Sequence, residues 1–444
     1  MIVFKRKIYD RLLEWKDLSK GRSALLVEGA RRVGKSTIVE EFARNVYKSV
    51  ILIDFAECPP AIKTLFDDIS DLNRIFMVLQ LEYGVELIER ESVIIFDEVQ
   101  LAPHARQAIK FLVKDGRYDY IETGSLISIN ENIKDILIPS EEEVIKMYPM
   151  DFEEFRWAMG DEVSMKIIRD AFFSGTELPE KSHQKIMEHF RLYTLVGGMP
   201  QAVAEFLTSN NLTAVDRIKR NIITLYEKDL NRIDPSGYAS RLFHQIPAQL
   251  TTNANRYMTW NASNGKPLAK LQETIAGMKE SMVVNIAYHA NDPSAGLAFH
   301  ENPSLFKMYV ADTGLFVTLA FWDKSFTENV IYKKLLANRI NADLGYLYEN
   351  VVAQMLATSG KELYYYTFPT SSGKHNYEID FIITEGHKIS PIEVKSSGYR
   401  SHASLDAFYE KFSQRINREY LLYPNVYKRE GDMVYLPFFM VPFL

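Results

Sequence analysis

The sequence predicts an α/β chain in three parts: a parallel sheet covered by helices, a helical middle ending in a winged-helix-like unit, and a smaller C-terminal α/β domain. Three observations carry this. Residues 24–160 alternate short β-branched runs with segments of helical periodicity, the pattern of a parallel sheet with helices on both faces. Residues 161–335 hold long helical patterns broken by turn clusters such as 291-NDPSAG-296 and 197-GGMP-200. Residues 340–444 gather β-type runs around helical segments. The expected boundaries are therefore 1–160, 161–335 and 336–444.

In order along the first part, ALLVE, VILIDF, SVIIFDE, YDYIETG and VIKMYPM read as strands. Between the first two, 37-TIVEEFARNVYK-48 places Ile38, Val39, Phe42, Ala43 and Val46 at helical spacing. The middle part reads as helices at 164–175, 183–207, 212–230, 238–250 and 267–280. Two β-type runs follow, 282-MVVNIAYHA-290 and 305-LFKMYVADT-313, around a polar turn. Helices followed by a hairpin suit a winged helix, although an αβ packing module reads the same way. The last part opens with the helix 344-LGYLYENVVAQMLATSG-360, continues through strands at 362–368, 378–384 and 389–395, and adds a polar helix around 401–417. The runs 419-EYLLYP-424 and 433-MVYLPF-438 close it.

Composition narrows the function classes. With 47% hydrophobic and 25% charged residues in 444, the chain is ordinary and globular. A net charge of −6 with no basic domain means that contact with DNA or RNA would need a local patch. A single cysteine, Cys58, excludes an intrachain disulfide and a Cys-rich zinc site, as expected in a reducing compartment. Apolar runs such as 50-VILIDFA-56 and 434-VYLPFFMVPFL-444 fall short of the roughly 20 residues of a spanning helix. The start, MIVFKRKIYDRLLEWKD, becomes charged too early for a secretory signal. A cytoplasmic protein without membrane contact is expected.

The strongest motif is 29-GARRVGKST-37, which fits G-x-x-x-x-G-K-[ST] between a strand and a helix. Gly29 and Gly34 free the backbone, so that N–H groups along Gly29, Ala30, Arg31, Arg32, Val33, Gly34, Lys35, Ser36 and Thr37 can point at phosphate oxygens. Lys35 would bridge the β- and γ-phosphates of ATP, and Ser36 would offer its hydroxyl to Mg2+. The run 92-SVIIFDEVQ-100 then delivers Asp97 to the sheet's carboxyl edge as a ligand of magnesium or of its water, with Glu98 polarising the attacking water. At 123-TGS-125, Thr123 or Ser125 could sense the γ-phosphate, or form a plain strand exit. No arginine finger is assignable: Arg31, Arg32, Arg106 and Arg156 read as surface or salt-bridge residues.

The stretch 378-EIDFIITEGHKISPIEVKSSG-398 holds a second carboxylate constellation. A turn at 385–388 would pair Asp380 with Glu393 and Phe381 with Ile392, leaving Ile379, Phe381, Ile392 and Val394 on a core face. Glu378, Asp380, Glu393 and Lys395 share the other face. Opposed carboxylates with Cβ atoms roughly 4.5–5.5 Å apart repel unless a cation or proton lies between them. A divalent metal held by Asp380 and Glu393 would satisfy them, with Lys395 stabilising developing charge. A cross-strand salt bridge between Glu378 and Lys395 explains part of the same face without any metal.

Taken with 121-IETGS-125, 148-YPMDFEEF-155, 197-GGMP-200 and 308-MYVADTGL-315, these motifs give a resemblance over nearly the whole chain. It resembles the prokaryotic AAA-type ATPases with a C-terminal domain of formerly unknown function, related to the archaeal ATPase and STAND branches of P-loop proteins. The resemblance implies a P-loop NTPase sheet and an ATP-dependent switch or motor with a helical and winged-helix middle. It implies that Gly198-Met199-Pro200 places Pro200 near the adenine, where a helix-breaking turn is the alternative. The hairpin looks like the PD-(D/E)XK nuclease core, which implies that Glu349, on the helix opening that domain, joins the centre. Two functions follow: an ATPase controlling a nucleic-acid-processing domain, or a STAND-like interaction switch whose nuclease-like domain is inactive. Homo-oligomers or a protein partner are compatible with both.

Overall fold

The computed structural model describes residues 2–124, 140–251, 268–323, 332–333, 336–337, 345–370, 372–396 and 401–444. No helix among them is long and apolar enough to cross a membrane. The chain forms two units, Met1–Tyr148 with Glu280–Met282, and Pro149–Lys279 with Val283–Leu444.

The first unit is built on five parallel strands, β1 (Ala24–Glu28), β2 (Ser49–Asp54), β3 (Ser92–Asp97), β4 (Asp119–Gly124) and β5 (Glu142–Lys146), in the order β2-β3-β4-β1-β5. The central strands β1, β3 and β4 are buried throughout, as near-continuous apolar runs in a covered parallel sheet must be. One face is packed by Ile62, Phe66, Ile75, Phe76, Leu79, Ala105, Ile109 and Leu112 from the segments after β2 and β3. The helix Lys35–Val46 buries Ile38, Val39, Phe42 and Ala43, and its Phe42 meets Tyr9 of the helix Ile8–Ser19 edge to face. The expected strands are present, with one shift. β5 ends at Lys146, ahead of Pro149, which has no N–H to give a ladder.

The second unit begins with the helices Phe152–Ala158, Ser164–Ser174, Glu180–Val196, Pro200–Ser209, Leu212–Ile233 and Tyr238–Thr251. Its sheet comprises β6 (Val284–Ala290), β7 (Glu301–Val310), β8 (Leu363–Pro369), β9 (Asn376–Glu385), β10 (Lys388–Val394), β11 (Glu419–Tyr423), β12 (Lys428–Glu430) and β13 (Met433–Pro437). The order is β12-β13-β11-β10-β9-β8-β6-β7. Here the structure departs from the winged-helix expectation. The hairpin read as a wing, β6 with β7, is one edge of this sheet, because β6 pairs in parallel with β8. The expected boundary at residue 336 therefore falls between strands of a single sheet.

Helix Gly345–Thr358, then β8, β9, β10, helix Ala403–Phe412 and β11, gives the order αβββαβ. The β9–β10 register is the expected one, with Phe381 opposite Ile392 and Glu385 opposite Lys388. The expected faces are not. The β8–β9 register shifts between Tyr364 and Tyr366, and such a bulge breaks strict alternation. Ile379 and Ile382 consequently join one core cluster with Leu405 and Phe408, while Phe381 packs on Tyr309 of β7.

Three sequence motifs meet inside this unit. Gly198 N–H donates to Asp312 Oδ2 (2.5 Å), and Met150 N–H donates to the Gly198 carbonyl (2.7 Å). A Cβ on Gly198 would lie 2.0 Å from the Met150 carbonyl oxygen, and one on Gly314 would lie 2.4 Å from that of Val196. These glycines are set by backbone contact. Lys219, fully buried, ties the junction by donating to the carbonyls of Leu195 (2.7 Å) and Gly314 (3.0 Å).

Candidate functional site: the loop after β1

β1 delivers the loop to the carboxyl edge of the first sheet. Gly29 is required there by packing, since a Cβ would meet the Met147 carbonyl oxygen at 2.3 Å. Gly34 takes a left-handed conformation (φ 97°), and so does Arg32 (φ 70°), which turns successive N–H groups toward one concavity before the helix starts at Lys35. Ala30 and Val33 are buried, Arg31, Ser36 and Thr37 half-buried, and Arg32 exposed. The Val33 side chain is core, so its share in the loop is its backbone. The Lys35 ammonium is buried inside the loop, donating to the carbonyls of Gly29 (2.9 Å) and Ala30 (3.0 Å). That places a cation and the positive end of a helix at one spot.

The strand order puts β4 between β1 and β3, so residues from three strands and one helix converge. Ser36 Oγ donates to Asp97 Oδ1 at 2.7 Å, and Thr123 donates to the same oxygen. Thr123 Oγ1 also accepts the Glu98 N–H at 3.4 Å. Glu98 stands at φ 53°, ψ 45°, a strained region for a residue with a Cβ and one that clusters at functional positions. The Gln100 amide donates to the Glu98 carboxylate. Ser36 hydroxyl and Asp97 carboxylate are the hard oxygen donors that magnesium takes, and the pair fits that ion. His104, on the helix that follows β3, pairs with Asp67 (2.5 Å). Ser125 lies outside the described residues.

The constellation of the second unit is assembled differently from expectation. Asp380 Oδ2 accepts the Val394 N–H at 2.8 Å, and Lys395 pairs with Glu393 at 2.5 Å. The expected Glu378–Lys395 bridge is replaced. Glu378 pairs with Lys307 of β7 at 2.5 Å, and Glu349 pairs with the same ammonium at 3.0 Å. Burial, and after it the charge of Glu349, pushes Asp380 well above the ordinary carboxylate range. Among the described residues no three His, Cys, Asp or Glu side chains are gathered to hold a metal ion. As arranged here, Glu349, Asp380, Glu393 and Lys395 do not fit the expected metal.

Residues 21–156 match the family described as AAA domain. They form an AAA-type P-loop ATPase domain. Residues 187–325 and 344–439 match two families described as domains of unknown function, DUF8612 and DUF4143. No curated protein matches the chain. Among solved structures, the chain is similar to the Walker-type ATPase PABY2304 of Pyrococcus abyssi, at 17% identity and a TM-score of 0.43, over 71% of this chain and 96% of that one. It is also similar to the Thermotoga maritima RuvB Holliday junction branch migration motor (15%, TM-score 0.29, 63% and 89% of the chains). A third likeness is to the Aeropyrum pernix ORC1 protein solved in complex with DNA (11%, TM-score 0.27, 76% and 93%).

The ATPase domain uses residues that its motifs do not announce. Arg6, ahead of the matched segment, is buried and donates to the Val33 carbonyl (2.9 Å) and the Tyr148 carbonyl (2.7 Å), fixing the loop's outer wall. It sits between Lys5 and Lys7 in a basic run, and no motif marks it in the sequence. Arg106 is a salt-bridge residue, as expected, 3.1 Å from Glu142 and near the buried Glu122. Burial drives the Glu122 carboxyl well above its ordinary pKa, with the Glu142 charge adding to the rise. Arg156, in the second unit, pairs with Asp161.

Proposed function

We propose that the chain binds ATP with magnesium at residues 29–37, hydrolyses it, and uses nucleotide state as a switch on its second unit. The observation that carries this is the line Ser36–Asp97–Thr123, which joins the helix after the loop to β3 and β4. Backbone N–H groups from Gly29 to Thr37 cradle the phosphate tail. Lys35 exchanges the carbonyls of Gly29 and Ala30 for the β- and γ-phosphate oxygens. Ser36 and Asp97 hold magnesium, which when bound offsets charge developing on the phosphates. Glu98 orients and polarises the attacking water, its carboxylate steadied by Gln100. Thr123 reports on the γ-phosphate through Asp97 and the Glu98 N–H. Pro200, first residue of its helix, is the proposed neighbour of the adenine on the strength of the resemblance alone.

Calorimetric titration with Lys35→Ala should lose nucleotide affinity by about tenfold or more. Glu98→Gln should keep affinity and lose roughly 10²–10⁴ in turnover. Unchanged turnover in both variants sinks the reading.

For the second unit, the αβββαβ order with Asp380, Glu393 and Lys395 at one end of a hairpin supports a nuclease-like fold. Lys307 among its carboxylates favours an interaction switch, of the STAND kind, over cleavage of DNA or RNA. A second copy or a protein partner is then the receiver. Nucleic-acid processing remains the competing reading, favoured by the Glu393–Lys395 pair. Magnesium- or manganese-dependent cutting that disappears in Glu393→Ala would establish it instead.

A further inference from the structure

A lysine stands where the acidic cluster of the second unit calls for a cation. Lys307 belongs to β7, outside the αβββαβ core and outside residues 344–439. Its side chain is 7% exposed, with Nζ 3.0 Å from Glu349 Oε1 and 2.5 Å from Glu378 Oε1. The next inward residue of that strand face, Tyr309, donates its hydroxyl to the same Glu349 oxygen at 2.5 Å. Glu393 is 5% exposed, and its Oε2 is buried without a hydrogen-bond partner. The cluster thus holds two orphan carboxylate oxygens, Glu378 Oε2 and Glu393 Oε2; the Glu378 carboxylate is paired with an ammonium supplied from a distant segment, and the Glu393 carboxylate with Lys395. An ammonium with three donors can pair carboxylates one at a time, but it leaves no room for the six or more oxygens a divalent ion gathers.

We propose that Lys307 is a built-in cation that takes the place of a divalent metal in this cluster. Replacing it with a neutral side chain opens a divalent-cation site formed by Glu349, Asp380 and Glu393. The proposal rests on the nuclease-like reading of the fold and is read by metal binding, not by strand cutting or nucleotide turnover. Its failure and theirs are therefore separable.

The test is Mn2+ titration of the full chain without nucleotide, following the free-ion signal by electron paramagnetic resonance. The natural chain should show no saturable binding that Glu393→Gln removes, up to about 1 mM, the weak end of protein sites for such ions. Lys307→Ala and Lys307→Met should each gain a site about tenfold tighter or better, and Glu393→Gln in the Lys307→Ala background should remove it. Saturable binding by the natural chain that Glu393→Gln abolishes overturns the proposal. So does a folded Lys307→Ala that gains nothing. Where the lysine variants fail to fold without metal, folding restored by millimolar Mn2+ supports it, and no restoration overturns it.

Discussion

Thr123 occupies the central strand between the phosphate loop and the acidic edge, and its single hydroxyl serves two groups at once. It donates to Asp97 and accepts from the strained Glu98 backbone. Thr123→Val keeps shape and β-branching while removing both bonds, so stability should fall by only about 1–2 kcal/mol. Nucleotide affinity should stay within a few-fold, while single-turnover hydrolysis drops about tenfold or more. Equal loss in both would make Thr123 a packing residue. Lys35, Ser36, Asp97 and Thr123 were legible in the sequence because a short local pattern and a strand end fix each. Arg6 and Lys307 were not. Their partners lie 27 and 142 residues away for Arg6, and 42 and 71 for Lys307, and no local periodicity encodes such distances.

At the scale of elements, the turn at 385–388 was enough to set the β9–β10 register, since turn length fixes pairing. It was not enough to set the faces, because the bulge opposite β8 depends on a neighbouring strand. The 197–200 turn shows the same limit: its glycines answer to Met150 and Asp312, which only the assembled unit brings near. Gly198→Ala should therefore cost about 3 kcal/mol or more by urea unfolding, since backbone must move to admit the Cβ. A loss below about 1 kcal/mol contradicts that contact. Glu419, which opens β11, gives a pH signature. Burial, with Asp406 and Asp432 nearby, pushes its pKa from 4.5 up to about 7. The folded chain keeps this proton where the unfolded chain has lost it. The stabilisation is complete below about pH 4.5 and disappears as pH rises through about 7. Measured as the difference from Glu419→Gln, the natural chain should lose roughly 2 kcal/mol between pH 4.5 and 8. A difference that does not change with pH would refute it.

At the scale of the molecule, the two units set what a switch must accomplish. Hydrogen exchange with a non-hydrolysable ATP analogue should slow at residues 28–37 and around Thr123 whatever the biological role. The switch reading requires more: peptides between Pro149 and Leu444 must also change. Protection confined to the first unit would leave an ATPase without a listener. The larger lesson of the second unit concerns where it can be divided. Two family matches meet between residues 325 and 344, yet the strands on either side are hydrogen-bonded neighbours, β6 with β8. Expressing residues 344–444 alone would strip β8 of that neighbour and bare a row of backbone donors and acceptors. Such a rim invites other chains to add on, and the fragment should form aggregates where the whole protein does not.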